Sequence, residues 1–203
     1  MDLKKVLPLF SYVFHPIFIS LYGTLFYFIV SQTYIYESQV LLTLIQVGIL
    51  TLFLPISLYY LFISLGIVAS FTEASLKERK LPLMTQAILL FLLLKFSTSL
   101  NALPELFYFF LGGFSSSILA FICVLLRFKA SLHMIGICSL GTFVYGLSIH
   151  LELPLVNTIA FSVMCIGFVA SSRLYMKSHT PIELIVGGFI GVLSQVIFWY
   201  FWL

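Results

Sequence analysis

Long apolar runs broken by short polar loops fill this chain from end to end. A helix that crosses a bilayer needs roughly 20 mainly apolar residues. About seven stretches meet that need, near 8–30, 39–70, 81–100, 104–126, 132–149, 153–171 and 182–202. The second is long enough to tilt or to reach past the bilayer, and the fifth is short and contains glycine. Lipid offers no hydrogen bonds to the backbone, so such stretches fold as helices. The first run is too long for a cleaved leader, and comparable runs follow it. No linker, repeat or low-complexity segment interrupts the pattern. The expectation is an all-α polytopic membrane helical bundle of about six to seven transmembrane helices, with 1–203 as a single integral membrane domain.

Composition agrees. The 203 residues are 62% hydrophobic and 8% charged, where a soluble domain carries about 25% charge. Cys123, Cys138 and Cys165 all fall inside apolar runs with no metal-ligand spacing, and read as small packing residues. The charges are placed unevenly. Polar loops follow the second, fourth and sixth stretches, at 72–82, 127–133 and 172–183. With about seven helices these loops share a face with the N-terminus. Nine of the ten basic residues lie there: Lys4, Lys5, Lys77, Arg79, Lys80, Arg127, Lys129, Arg173 and Lys177. Lys95 alone lies elsewhere and is expected to snorkel toward the other interface. The positive-inside rule makes the basic face cytoplasmic.

That rule does not account for the histidines. Ser131 and His133 open the fifth stretch, and Arg173 and His179 precede the seventh. Such groups are costly at lipid depth and usually face a cavity. Each has a plainer reading. Ser131 suits a helix cap. Thr180-Pro181-Ile182-Glu183 is a capping box with proline at the first helical position. Together, however, Arg79, Lys129 and Arg173 suit a multiply charged oxyanion. The third, fifth and seventh helices begin on this face, and their N-termini favour an anion too. Glu183 lies four residues after His179, close enough to fix its tautomer. The only Asp is Asp2, and no paired carboxylates or His-x-x-x-His site imply a metal.

At these residues the chain resembles the type 2 phosphatidic acid phosphatases, membrane enzymes related to vanadium haloperoxidases that dephosphorylate lipids without metal. Their third motif is Ser-Arg, five residues, His, three residues, Asp. Ser172-Arg173, five residues, His179, three residues and Glu183 repeat it with Glu for Asp. Their second motif, Pro-Ser-Gly-His, is matched by Ala130-Ser131-Leu132-His133, without the Pro and Gly. Their first motif is Lys, six residues, Arg-Pro. Here Arg79 stands three residues before Pro82, and position 72 is Thr where Lys is required. The resemblance covers roughly 70–191. It implies a phosphatidic-acid-phosphatase-like core and phosphohistidine chemistry. His179 is then the nucleophile, Glu183 its orienting acid, and His133 the general acid and base. Arg173, Ser131, Lys129 and Arg79 (or else Lys77 or Lys80) hold phosphate oxygens.

The implied partners are a lipid phosphate and membrane lipids, with no nucleic acid and no cofactor. Candidate substrates are phosphatidic acid, phosphatidylglycerol phosphate, an isoprenyl pyrophosphate and a phosphorylated lipid A. A bacterial inner membrane is the expected location. Relatives of the family often work on the outer side, against the charge rule. A protein that binds or transports lipid phosphate without chemistry, or a purely structural membrane protein, are the competing readings. Four smaller expectations complete the picture. His15 is interfacial, or else reaches the pocket mouth. His150 and Glu152 form a solvated loop on the far face. Gly187-Gly188-Phe189-Ile190-Gly191 is a helix-packing surface. Tyr34, Tyr36, Trp199 and Trp202 belong to an interfacial belt.

Overall fold

The computed structural model describes residues 3–31, 35–68, 76 and 78–203, and the side chains of these other than 3–5, 98 and 99. Tyr34, Thr72, Lys77 and the side chains of Lys4 and Lys5 lie outside the described residues. Among them, regular structure is entirely helical. The helices are α1 Leu3–Val13, α2 Pro16–Val30, α3 Glu37–Gly48, α4 Leu54–Ser64, α5 Lys80–Phe96, α6 Thr98–Asn101, α7 Pro104–Leu125, α8 Leu132–His150, α9 Val156–Tyr175, α10 Pro181–Val196 and α11 Trp199–Trp202.

Among the described residues, five helices are long and apolar enough to cross a membrane: Glu37–Ser64, Pro104–Leu125, Leu132–His150, Val156–Tyr175 and Pro181–Trp202. The chain is an integral membrane protein. A bent pair, Val6–Val13 with Pro16–Val30, makes a sixth candidate span. Against an expectation of about six to seven, the described residues thus hold five or six, and the count of seven is corrected. The stretch expected at 81–100 is a helix of 17 residues that stops at Phe96. At 1.5 Å per residue it is about 26 Å long, short of a hydrocarbon core of about 30 Å. Ser97 ends it by turning extended (ψ 99°) and capping α6 through its hydroxyl.

The first stretch also differs from expectation, since it is two helices bent by 67°. Proline disfavours helical geometry in the residue before it. His15, which precedes Pro16, accordingly sits at φ −64°, ψ 138°. Pro55 has a milder effect in the second stretch. A π-helical turn, Ile49–Phe53, joins α3 to α4 just ahead of it and keeps the span continuous.

The central helix is α8, half of whose apolar window is buried (50%), more than in the other spans. It packs on α10 most extensively, then on α9 and α2. Gly187 and Gly191 make the first contact possible. A Cβ at Gly187 would come 2.7 Å from the Ser131 carbonyl oxygen, and one at Gly191 2.4 Å from that of Ile135. The glycine-rich segment of α10 is thus a packing surface, as expected. At the far end Trp202 is buried (7% exposed) on Phe143 and His150. It is a core residue, so its expected place in an interfacial belt is corrected. Trp199 turns inward too, its Nε1 buried beside Gly146 of α8. Tyr36 is exposed, as a belt residue would be. Cys138 and Cys165 are buried and Cys123 is half-buried, all three as free thiols. Lys95 lies in the last turn of α5, its Nζ over the Phe91 and Phe96 rings. Glu152 lies in the turn after α8 and is exposed, as expected of a solvated loop, and so is His150, the last residue of α8. His150 Nε2 lies 3.3 Å from Glu105, which also accepts from the Tyr27 hydroxyl.

Candidate functional site

Three helices begin around one cavity, and two turns aim their polar residues at it. α9 ends where Lys177 adopts a left-handed conformation (φ 52°) and Ser178 N–H donates to the Arg173 carbonyl. This closure, common at helix ends, folds the chain back and sets His179 over the last turn of α9. α7 ends the same way, with Arg127 at φ 61° and Phe128 N–H on the Cys123 carbonyl. Neither turn uses the glycine that would have announced it.

α10 then starts with the expected capping box. Glu183 N–H donates to Thr180 Oγ1 at 3.4 Å, and Thr180 N–H to Glu183 Oε2 at 3.1 Å. The same Oε2 lies 2.8 Å from Nδ1 of His179. Capping and orienting were alternative readings of Glu183; its carboxylate does both. With Nδ1 engaged, Nε2 is the nitrogen of His179 left for a ligand. His179 is buried (8% exposed). Burial lowers its pKa from 6.5 to about 4; the bond to Glu183 opposes this, and the charges of Arg79, Arg173 and Lys129 reinforce it.

His133 is in the first turn of α8, and its Nε2 meets the Ser11 carbonyl of α1 at 3.1 Å. A carbonyl can only accept, so Nε2 carries a proton and Nδ1 is left for a ligand. Ser11 also binds Ser172 through their hydroxyls at 2.6 Å. The N-terminal helix is therefore anchored to both histidine-bearing segments.

Arg173 is 8% exposed, and its Nε is buried with no hydrogen-bond partner. Its Nη1 lies 4.0 Å from the sulfur of Met176. Among the described residues no carboxylate pairs with it: the ion pairs found are His150–Glu105 and His179–Glu183. Arg79 reaches the Ala130 carbonyl at 3.5 Å. Burial lowers its pKa, while Glu183 and Tyr59 oppose the shift.

Arg79, Arg173, His133 and His179 all line one cavity of about 300 Å³. It continues between the helices past Leu83, Leu90 and Ala120 to Phe109 and Phe110. Polar residues along this shaft are mostly satisfied locally: Ser116 donates to Gly113, Ser139 to Gly191 and Gln195 to Phe109. The cavity thus has a cationic, imidazole-lined mouth and a largely apolar shaft.

Three expected site residues do not line it. Glu183 stands behind His179. Lys129 donates to the Ser178 carbonyl at 3.2 Å and so secures the loop that carries His179. Burial lowers its pKa, and the nearby Arg79 adds to that. Ser131 is fully buried; its N–H donates to the Glu183 carbonyl at 3.1 Å, its hydroxyl has no partner, and it makes no side-chain cap to α8. One residue read as interfacial or at the pocket mouth, His15, does line the cavity. Its signal was the His-Pro pair, which forces a break and leaves histidine at a helix start. Among the described residues, no three His, Cys, Asp or Glu side chains gather to hold a metal ion.

No protein-family model, curated protein or solved structure matches this chain.

Proposed function

We propose that this protein is a membrane phosphatase that removes phosphate, as a monoester or from a pyrophosphate, from a lipid through a phosphohistidine. The observation that carries this reading is Arg173. A guanidinium nine-tenths buried, with no carboxylate among the described residues, is expensive unless an anion completes it. Arginine binds phosphate at two points, and two imidazoles share the cavity wall with it.

In this reading Nε2 of His179 attacks phosphorus while the P–O bond to the lipid breaks. A proton that arrives on the phosphate monoanion passes to Nδ1 of His133, whose Nε2–H stays on the Ser11 carbonyl, and from Nδ1 to the departing oxygen. Water then loses a proton to His133 and attacks the phosphohistidine. The P–N bond breaks, and phosphate and neutral His179 are regenerated. Glu183 holds the Nδ1–H of His179 throughout and balances the positive charge on the ring. Arg173 and Arg79 hold the non-bridging oxygens, which concentrates the binding energy on the charge of the transition state. Ser131 and Lys129, by their contacts, serve the site through the loops they secure. The apolar shaft suits a lipid chain that never leaves the bilayer. The basic loops favour a cytoplasmic site.

The test is phosphate release by detergent-purified protein from several lipid phosphates, with a chelator present. Release is expected to persist under chelation and to vanish in His179→Ala. Release that requires magnesium, or that survives in His179→Ala, eliminates the phosphohistidine. A variant that binds lipid phosphate as well as a wild type that never hydrolyses it points to carriage of the lipid instead.

A further inference from the structure

The geometry points to His15 as a further anion-binding residue, a third imidazole at the cavity mouth. This rests on the reading of the mouth as a phosphate site. His15 and His133 stand with ring centroids 5.1 Å apart and planes at 87°. The close approach is built into the backbone. A Cβ at Gly136 of α8 would lie 3.0 Å from Ile19 Cγ1 and 3.7 Å from Pro16 Cα, so the glycine lets the start of α2 settle against α8.

His15 caps α2: its Nδ1 accepts from Ile17 N–H at 3.4 Å. An accepting Nδ1 means that the proton of the neutral ring is on Nε2. A donor on the cavity wall is what a phosphate oxygen requires. An independent feature marks the same mouth as an anion site, namely the partnerless buried Nε of Arg173. The 67° bend at His15-Pro16 also turns the N-terminus of α2 toward the cavity and adds it to those of α5, α8 and α10.

The experiment separates capping from binding. Asparagine is a strong N-cap, so His15→Asn keeps the start of α2 while removing the ring. Binding of inorganic phosphate to detergent-purified wild type and variant is measured by calorimetry, with thermal melting alongside. Loss of one hydrogen bond to a charged group corresponds to roughly ten- to a hundredfold weaker binding. That weakening with an unchanged melting temperature is the expected result. Wild-type phosphate affinity in His15→Asn overturns the proposal and leaves His15 as a cap only. A second measurement needs no variant to fold. In wild type carrying 15N-labelled histidine, phosphate should move the Nε2 resonance of His15 and leave that of His150, on the far face, in place. A still His15 resonance also overturns it. Wild type that binds phosphate but hydrolyses no lipid ends the phosphatase reading alone; wild type that binds no phosphate ends both.

Discussion

At Glu183 a single carboxylate carries two loads. Its Oε2 accepts from His179 Nδ1 at 2.8 Å and from Thr180 N–H at 3.1 Å. The i,i+4 spacing and the longer Glu side chain allow this, where the resembling motif has Asp. Glu183→Gln keeps the size and removes the charge that balances the His179 ring. Phosphate release is expected to fall by a factor on the order of 10²–10⁴, as when a comparable acid-to-amide change disturbs the tautomer. The pH profile gives an independent check. Nε2 of His179 must be neutral to attack, and its pKa is lowered to about 4. Protonation of His179 should therefore set an acid limb in kcat/KM near pH 4. The Glu183 bond raises the proton affinity of His179, so the acid limb should move lower still in Glu183→Gln. An unmoved limb assigns it to another group. The same depressed pKa makes stability depend on pH. The unfolded ring takes up its proton near 6.5, before the folded ring does. The contribution is therefore full above about 6.5 and is lost as pH falls toward about 4.

At the scale of the element, the site depends on how closely α10 lies against α8. Gly187 and Gly191 admit the Ser131 and Ile135 carbonyls, whereas a Cβ at Gly188 would meet side-chain ends at ordinary contact distance, Cys138 Sγ at 3.4 Å and Met134 Cε at 3.9 Å. Gly187→Ala and Gly191→Ala should each cost about 1–3 kcal/mol and lower the melting temperature in detergent. Gly188→Ala should change it far less. Gly187→Ala should also slow phosphate release, because the displaced helix carries Glu183 away from the Ser131 N–H it anchors. Equal melting of all three variants would contradict this packing. The same scale shows where prolines matter. Pro16 divides an apolar run that hydropathy alone reads as one helix, and Pro55 is absorbed by one π turn. What differs is the neighbourhood: α2 packs back on α8, while the Pro55 region stays continuous with its own span.

For the whole molecule, helix direction places the loops that carry Lys80, Lys129 and Lys177 around one cavity mouth and Tyr36 at the far end. In a cysteine-free background, Lys80→Cys and Lys177→Cys should react with a membrane-impermeant maleimide from the same side of sealed vesicles. Tyr36→Cys should react from the other side. Labelling of positions 80 and 177 from opposite sides would break the bundle order. Much of this architecture is legible in the chain alone. Apolar runs about as long as a bilayer is thick impose helices, because lipid leaves backbone groups no other partners. The spacing of Ser172, Arg173, His179 and Glu183 likewise sets an acid one helical turn from an imidazole. Local rules suffice for both. Tertiary structure alone decided which charged groups face the cavity and which merely hold its loops, as Lys129 does, and that His15 joins His133. Those outcomes turn on contacts between residues far apart in the chain, 49 positions for Lys129 with Ser178, and 122 and 161 for Ser11 with His133 and Ser172. No periodicity along the chain encodes the distance between two helices; the absence of a Cβ and the bend at a proline do, once the helices are packed.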